Sequence, residues 1–471
     1  MDRPNLLLIT TDQQRWDTIA ALGARGYWTP HLDWLADTGV VFPDAITDCP
    51  VCGPARATIM TGQHAWRHGE TSNRSTPSPM KDLPTLPGLL TAAGYQTRGV
   101  GKMHFHPTRA HYGFEHLEIL PDYYRWIQRQ PGARPPKNHG IGENEMTPCL
   151  ATTDEHQTVS AWVADRAIDF LETRDETRPF FLWMSFSKPH PPFDPPLSCW
   201  EMIDPDEVAD PLQGEWAADL DATAAWREPT FHLNNCHRFA PEQMRAVRRA
   251  YAACILHVDQ QIGRMLARLR ELGLFESTWI VFASDHGEML GDHRMGAKSV
   301  FFQGSRRVPL IVRPPSTPWL ADPRGGTRDD RLACLADLLP TLLARAGVPL
   351  PEGAVFDGLD LMSDQKRERL IGECVGYHAV VEKDWVFHWT ERGGNELLMR
   401  RGPDEEASVA GSGERGERDR LAGLLDASLR ERGHPAQGLA ATMPVLSESE
   451  GRRRLWPGFH SIGDENCDLL H

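Results

Sequence analysis

The sequence predicts an α/β protein with a doubly wound, mostly parallel β-sheet and a smaller C-terminal α+β subdomain. Short apolar segments alternate with longer segments of helical periodicity through the first 346 residues, which is typical of βαβ units. Several apolar segments end directly in polar residues, as the central strands of a parallel sheet do at their carboxyl ends. After residue 365 the pattern changes to alternating, aromatic-containing segments, which indicates antiparallel strands.

The predicted elements follow from apolar runs and from the prolines and glycines that bound them. The predicted strands are Leu6–Thr10, Val40–Phe42, Tyr95–Val100, Pro179–Ser185, Trp279–Ala283 and Val308–Val312. The predicted helices are residues 29–39, 84–94, 157–173, 241–272 and 331–346. The first helix begins at a proline and ends at Gly39, and two others close on Gly94 and Gly273, which is the usual asymmetry of helix ends.

The C-terminal region is predicted to form a smaller domain, residues 366–471, beside a larger one, residues 1–365. His378–Thr390 alternates in the manner of antiparallel strands, and residues 417–432 fit a helix. The tail, residues 452–471, contains aromatic side chains, from which we expect it to pack on the body of the protein or on a partner subunit of a homo-oligomer.

Some segments lack clear periodicity. Residues 123–150 and 204–240 are long for plain connections, so we expect them to form active-site or interface loops that set specificity. Residues 402–421 are rich in Gly, Glu and Arg and are expected to be exposed.

The composition excludes several classes of protein. The chain of 471 residues carries 50 Lys and Arg against 65 Asp and Glu, a net charge of −15, which argues against a general nucleic-acid binder. Its 9 cysteines are too few for a disulfide scaffold, and their odd number leaves at least one free thiol. The first apolar run, Leu6–Ile9, is too short for a secretory signal or a membrane span, so we expect a cytoplasmic protein without membrane attachment.

Residues 49–56 read Cys-Pro-Val-Cys-Gly-Pro-Ala-Arg and allow two interpretations. In the first, Cys49 and Cys52 form a Cys-x-x-Cys redox or zinc pair, although no second pair has the spacing that such a zinc site needs. In the second, Cys52 opens a helix that has Pro54 in its first turn and a positive end that favours anions. Arg56 then lies one turn further on and can reach back toward residue 52.

The second interpretation gains support because Cys52-x-Pro54-x-Arg56, followed by Ala-x-x-x-Thr-Gly, resembles the signature of the sulfatase family, in the alkaline phosphatase superfamily. The resemblance implies an alkaline-phosphatase-like fold, with residues 1–365 as the catalytic domain. It also implies oxidation of Cys52 to formylglycine by a formylglycine-generating enzyme. The hydrate of that aldehyde offers two hydroxyls on one carbon, of which one attacks sulfur and the other then expels sulfate and regenerates the aldehyde.

The resemblance further implies one divalent metal site. The segment that ends in Asp12 is similar to the family's first strand with its metal-binding carboxylates, but Gln13 stands where the family usually has a second Asp. Residues 284–288, Ser-Asp-His-Gly-Glu, resemble the family's other metal-binding segment. The expected ligands are Asp12, Gln13, Cys52, Asp285 and His286. The resemblance favours Ca²⁺, and Mn²⁺ comes second because His286 offers nitrogen and Gln13 is neutral.

Further segments resemble the parts of the family that bind sulfate and move protons. In Gly-Lys102-Met-His104, Lys102 would contact the nucleophile and sulfate, and His104 would deprotonate the second hydroxyl of the hydrate. His190, in a stiff proline-rich loop, would bind sulfate or the leaving oxygen, and Lys298 would contact both. Taken singly, Lys102, His104 and Lys298 would more often be ordinary surface residues. The expected catalytic residues are Cys52, Arg56, Lys102, His104, His190 and Lys298.

Asn73 is similar in position to an active-site asparagine of phosphonate monoester hydrolases, which are relatives that also carry Asp-Gln and Cys-Gly-Pro-Ala-Arg. Asn73 therefore joins Lys102, His190 and Lys298 as an expected substrate-binding residue, although Lys102 and His104 resemble a sulfatase pair that those hydrolases lack. We expect a sulfatase acting on a small sulfate monoester, with aryl sulfates as the first candidates. The alternatives are a phosphonate monoester or phosphodiester hydrolase and, from another class, a catalytically silent binding protein with an unconverted Cys52.

Overall fold

A large β-sheet runs through the centre of the protein. The computed structural model describes residues 3–73, 78–132, 134, 136, 139–218, 236, 239–315, 326–374, 376–402, 411–434 and 438–439. The strands of this sheet are β1 (Asn5–Asp12), β2 (Val40–Val41), β4 (Gln96–Gly101), β5 (His116–Ile119), β6 (Phe180–Pro189), β7 (Thr278–Ser284), β8 (Leu310–Arg313) and β9 (Thr327–Arg328). Two short strands, β3 (Ala45–Ile46) and β10 (Ala333–Cys334), pair with each other separately.

The large sheet has the strand order β5-β4-β6-β1-β7-β8-β2-β9. Strand β1 pairs in parallel with β6 and β7, and β4 pairs in parallel with β5 and β6. Strand β8 runs antiparallel to both β7 and β2. The predicted α/β class with a mostly parallel sheet is therefore confirmed, with an antiparallel contribution towards one edge.

The alternation of side chains along β1 divides the interior into two cores. Leu6 and Leu8 belong to the core on one face of the sheet, whereas Leu7 and Ile9 belong to the core on the other. All four side chains are fully buried, which explains why this strand reads as a continuous apolar run in the sequence.

Helices cover both faces of the sheet. They are α1 (Pro30–Thr38), α2 (Cys52–Thr61), α3 (Ala65–His68), α4 (Leu86–Ala92), α5 (Leu120–Ile127), α6 (Val159–Thr173), α7 (Leu197–Met202), α8 (Pro241–Glu271), α9 (Gln303–Arg306), α10 (Leu338–Ala346) and α11 (Arg415–Glu431). Val163 of α6 and Ile262 of α8 lie in the core with Leu7. Leu90 of α4 and Leu342 of α10 lie in the opposite core.

A four-stranded antiparallel sheet forms the C-terminal part of the protein, in the order β11-β12-β13-β14. These strands are β11 (Arg369–Cys374), β12 (Tyr377–Glu382), β13 (Trp385–Thr390) and β14 (Glu396–Arg400). Leu425 of α11 packs with Phe387 in one core, while Tyr377 shares another core with Ile46 and Phe301 of the larger part. The division into two domains near residue 365 stays a prediction.

Several predicted elements differ in the structure. Residues 331–346 are not one helix, because Cys334 is extended in β10 and its backbone N–H donates to the Asp337 carboxylate, 2.7 Å away, so the helix starts only at Leu338. The segment 123–150, predicted as a loop, begins inside helix α5.

The segment 402–421, predicted to be exposed, ends at a fully buried leucine, Leu421, because this residue lies on the apolar face of α11. Residues 403–410, most of 204–240 beyond residue 218, and the tail 452–471 lie outside the described residues. Within the described residues, helices long and apolar enough to cross a membrane are absent.

Candidate active site at the carboxyl edge of the sheet

The candidate site forms where β1 and β7 end side by side. Thr11 pairs with Ser284 in the parallel register, so the next residues, Asp12 and Asp285, emerge together at the carboxyl edge of the sheet. Both carboxylates are fully buried. Their proximity follows from the parallel register, since neighbouring strands deliver their terminal residues to the same edge.

Cys52 lies at the first residue of helix α2, which faces this edge. Val51 before it is extended, with φ −144° and ψ 138°, and Pro54 lies in the first helical turn, as the sequence predicts. The Cys52 Sγ lies 3.2 Å from His286 Nε2, 3.7 Å from Asp12 Oδ1 and 4.0 Å from Lys102 Nζ. A reactive group at position 52 would therefore lie between a carboxylate, an imidazole and an ammonium group.

Four predicted metal ligands converge in this place. One donor atom from each of Asp12, Cys52, Asp285 and His286 lies within 4.8 Å of the others, and all four residues are buried. Two carboxylates and an imidazole nitrogen are suitable ligands for a divalent cation. Because two neighbouring buried carboxylates are costly without positive charge, their burial also favours a bound cation. The donor set therefore fits a divalent metal ion.

Gln13 is held in an unusual backbone conformation beside this cluster. Its φ is 70°, a left-handed value that a residue other than glycine seldom adopts. Its backbone N–H donates to Asp285 Oδ1 at 3.0 Å, and its side-chain amide donates to Glu288. The remaining amide oxygen accepts from Lys298 Nζ at 2.6 Å. Glu288 thus fixes which way Gln13 points, a role that the sequence does not reveal.

Arg56 braces the two carboxylates. Its Nε donates to Asp285 Oδ2 at 3.1 Å and its Nη2 to Asp12 Oδ2 at 3.2 Å. Its Nη1 donates to Ser185 Oγ at 2.8 Å and to the Lys102 carbonyl oxygen. The guanidinium therefore contacts the two carboxylates beside residue 52, and Ser185 is a further partner that the sequence does not reveal.

The charges in the cluster shift several pKa values. Burial opposes ionisation of Asp12, but Lys102, His190, Arg56 and His286 together hold its pKa well below the usual range. Burial and then the charge of Asp12 raise the pKa of Asp285 to about 6. Two neighbouring carboxylates thus differ strongly in acidity.

The charge environment also acts on the thiol of Cys52. Burial and Asp12 favour the neutral thiol, but Lys102, Lys298 and His286 outweigh them and bring the Cys52 pKa well below its ordinary value. The site therefore stabilises negative charge at position 52.

Three cationic or potentially cationic side chains face this region. Lys102 Nζ lies 2.8 Å from Asp12 Oδ2, and Lys298 Nζ lies 3.1 Å from His190 Nε2. The other ring nitrogen of His190 is 2.8 Å from the Pro191 carbonyl oxygen, which fixes the ring with Nε2 directed at Lys298. All three residues are buried, and such a group suits an anion with several oxygens.

The turn after β4 that delivers Lys102 depends on a glycine. Gly101 has a φ of 100°, and a Cβ at this position would lie 1.9 Å from the Ser185 carbonyl oxygen. That carbonyl instead accepts from the Lys102 backbone N–H at 2.9 Å. His104, two residues further on, is half-buried with a φ of 56°, and its role as a base stays a prediction.

Asn73 contacts the start of helix α2, where its Oδ1 accepts from the Gly53 backbone N–H at 2.9 Å. Glu70 lies on the same side, since a Cβ at Gly53 would be 3.2 Å from its Oε1. Glu70 is fully buried and accepts from Ser78 Oγ at 3.0 Å, and burial raises its pKa. Nothing in the sequence pattern singled out this carboxyl group.

A cavity adjoins the site and is lined by both Lys102 and His190. Tyr123, Tyr124 and Glu143 also line it, and all three belong to the segment 123–150. The segment predicted to set specificity therefore reaches a cavity beside the cationic side chains.

Comparisons with known proteins identify the family of this chain. The sequence model of the Sulfatase family matches residues 4–348. The chain is 31% identical over 471 aligned residues to an arylsulfatase of Clostridium perfringens, covering 92% of this chain and 96% of the relative. It is 32% identical over 378 residues to a choline-sulfatase of Rhizobium meliloti, covering 76% of this chain and 71% of the relative.

Among solved structures, a phosphonate monoester hydrolase of Agrobacterium radiobacter superposes with a TM-score of 0.79 at 26% identity, covering 91% of this chain and 96% of that one. The two architectures therefore agree over nearly their full lengths. Because the family model matches residues 4–348 and the arylsulfatase relative aligns over 92% of the chain, the chain belongs to the sulfatase family.

Proposed function

We propose that this protein is a formylglycine-dependent sulfatase that hydrolyses small sulfate monoesters, with aryl sulfates as the first substrates to test. The observation that carries the proposal is the position of Cys52 at the start of α2, in contact with His286 and within 4.0 Å of Lys102 Nζ. The motif Cys-x-Pro-x-Arg that begins there is the substrate expected for a formylglycine-generating enzyme.

Residue 52 would be the nucleophile. Converted to an aldehyde hydrate, it supplies one hydroxyl for attack on sulfur and a second for release of sulfate. The surrounding residues favour negative charge at this position, since they already lower the pKa of the Cys52 thiol. Arg56 would hold Asp12 and Asp285 in place, and His104 would accept the proton of the second hydroxyl.

A divalent metal would be held by Asp12, Gln13, residue 52, Asp285 and His286. Members of this family normally bind such an ion, and when bound it supplies positive charge next to the nucleophile. The family resemblance favours Ca²⁺, while the nitrogen of His286 and the neutral Gln13 make Mn²⁺ the second choice.

The sulfate group would be bound by Lys102, His190 and Lys298. Their burial removes competing water, which strengthens their attraction for the charge that develops on the leaving oxygen. The leaving group would enter the cavity beside Tyr123 and Glu143. Asn73, which accepts a hydrogen bond from the Gly53 backbone N–H at the start of α2, would also bind the substrate.

A phosphonate monoester hydrolase is the second candidate function. Two observations favour it: the hydrogen bond from the Gly53 backbone N–H to Asn73, and the structural likeness to such an enzyme. Sulfate and phosphonate esters share their shape, so activity on both is expected in one site. Comparison of kcat/KM for an aryl sulfate and an aryl phosphonate decides between them. A phosphonate advantage of 100-fold, about 2.7 kcal/mol in transition-state stabilisation, would reject the sulfatase assignment.

A further inference from the structure

A second group of metal-binding side chains lies apart from the candidate active site. Asp48 follows β3, His64 precedes α3, and Cys334 ends β10, which pairs with β3. One donor atom from each of the three lies within 4.8 Å of the other two. Segments far apart in sequence therefore bring a carboxylate, an imidazole and a thiol together.

The distances within this group are too long for good hydrogen bonds. His64 Nδ1 lies 3.7 Å from Asp48 Oδ2, and Cys334 Sγ lies 4.0 Å from His64 Nδ1. Zinc bonds of about 2.0 to 2.3 Å in a tetrahedral arrangement place neighbouring ligand atoms about 3.3 to 3.7 Å apart. The His64–Asp48 and Cys334–His64 distances thus lie within a few tenths of an ångström of what one zinc ion requires.

The charge of Asp48 supports a cation at this place. Its carboxylate is 1% exposed and accepts hydrogen bonds from Thr58 Oγ1 at 3.1 Å and from the Ala65 backbone N–H. Among the described residues, its ion-pair partner within 4.0 Å is His64. The nearby His68 supplies no charge at neutral pH, because burial lowers its pKa to about 4. A buried carboxylate is costly without a positive partner.

We propose that Asp48, His64 and Cys334 bind one Zn²⁺ ion, with water in the fourth position. A thiolate, an imidazole and a carboxylate suit zinc better than calcium or magnesium, which prefer oxygen donors alone. The side chain of His64 is 13% exposed, so the ion and a water molecule can reach the group from that side. The ion would link the segment after β3, the start of α3 and the end of β10, close to helix α2, which carries residue 52.

Binding requires loss of the Cys334 proton. Burial raises the pKa of this thiol, so the metal-free side chain is protonated. The ion displaces that proton to solvent as the metal–sulfur bond forms, and no electron is transferred. This site is independent of the proposed sulfatase activity.

Titration of full-length C52S protein with Co²⁺ tests the proposal, because Cys52 can then give no thiolate signal. We expect a near-ultraviolet sulfur-to-cobalt charge-transfer band with the intensity of one cobalt–thiolate bond per chain, which excess Zn²⁺ abolishes. The C52S/C334S protein should lack the band and bind one ion fewer per chain. The C52S/C254S protein, which lacks a different buried cysteine, should keep both the band and the full number of bound ions, and it serves as the matched control.

Should C334S fail to fold, C52S/H64Q provides the same comparison at a partly exposed position, with at least a tenfold weaker Co²⁺ affinity expected. Absence of the band in C52S protein would overturn the proposal. A band and a stoichiometry unchanged by both C334S and H64Q would overturn it equally.

Discussion

Replacing Arg56 by alanine tests how the two buried carboxylates are held. Arg56 is fully buried and contacts Asp12 Oδ2 at 3.2 Å and Asp285 Oδ2 at 3.0 Å. Removing one partner of a buried ion pair leaves uncompensated charge, which costs about 3–5 kcal/mol. We expect R56A to lower the free energy of unfolding of the metal-free protein by that amount at pH 7. The matched control is R245A, whose pair with Asp210 is largely exposed and contributes at most about 1 kcal/mol.

The effect should depend on pH with a defined sign. Arg56 lowers the pKa values of both carboxyl groups in the folded state, although burial opposes it. Removal of Arg56 therefore lowers the free energy of unfolding most at pH values where both carboxyl groups are ionised. Protonation of either carboxyl group reduces this loss. Since the pKa of Asp285 already lies at about 6, the difference between wild type and R56A should shrink as the pH falls from 7 towards 5.

Chemical denaturation at several pH values measures both effects. R56K should recover part of the loss, because it keeps the charge but cannot contact both carboxylates in the same planar arrangement. A loss below about 1 kcal/mol for R56A, equal to that of R245A, would refute the reasoning. A loss independent of pH would show that the destabilisation is not electrostatic.

Three further predictions concern the nucleophile and the metal. C52A should reduce turnover of aryl sulfates to background while leaving the circular dichroism spectrum unchanged, and a wild-type rate would reject residue 52 as nucleophile. E288Q should weaken Ca²⁺ binding by about 10- to 100-fold in calorimetry, because Glu288 orients Gln13, and unchanged affinity would exclude that role. Chelation of the metal should lower the melting temperature, and adding Ca²⁺ at 100 times its Kd should restore about 2.7 kcal/mol of folding stability. A melting temperature that does not respond to chelation would argue against an ion between Asp12 and Asp285.

Much of the fold could be predicted because strands and helices leave local patterns. The apolar run of β1 and the proline and glycine boundaries of the helices are visible in the sequence alone. The order of the strands and the antiparallel direction of β8 depend on contacts between distant segments, which a single sequence does not record. The sequence alone predicts Cys334 in a helix for the same reason, since its pairing with Ile46 is a long-range contact.

The candidate site was predictable where motifs follow strands. Asp12 is the last residue of β1 and Asp285 directly follows β7, and the parallel register brings them together. Glu70 and Ser185 carry no such signal, because their importance comes from which atoms they face in the folded chain. For Gln13, the sequence indicates the position within the motif, but it does not predict the left-handed backbone conformation of this residue.

The measurement that tests the central proposal most directly is kcat for an aryl sulfate against the fraction of chains that carry an aldehyde at residue 52. Preparations made with and without a formylglycine-generating enzyme supply the range, and peptide mass spectrometry quantifies the aldehyde in each. The proposal predicts a straight line through the origin. Turnover that does not change with the aldehyde fraction would contradict it.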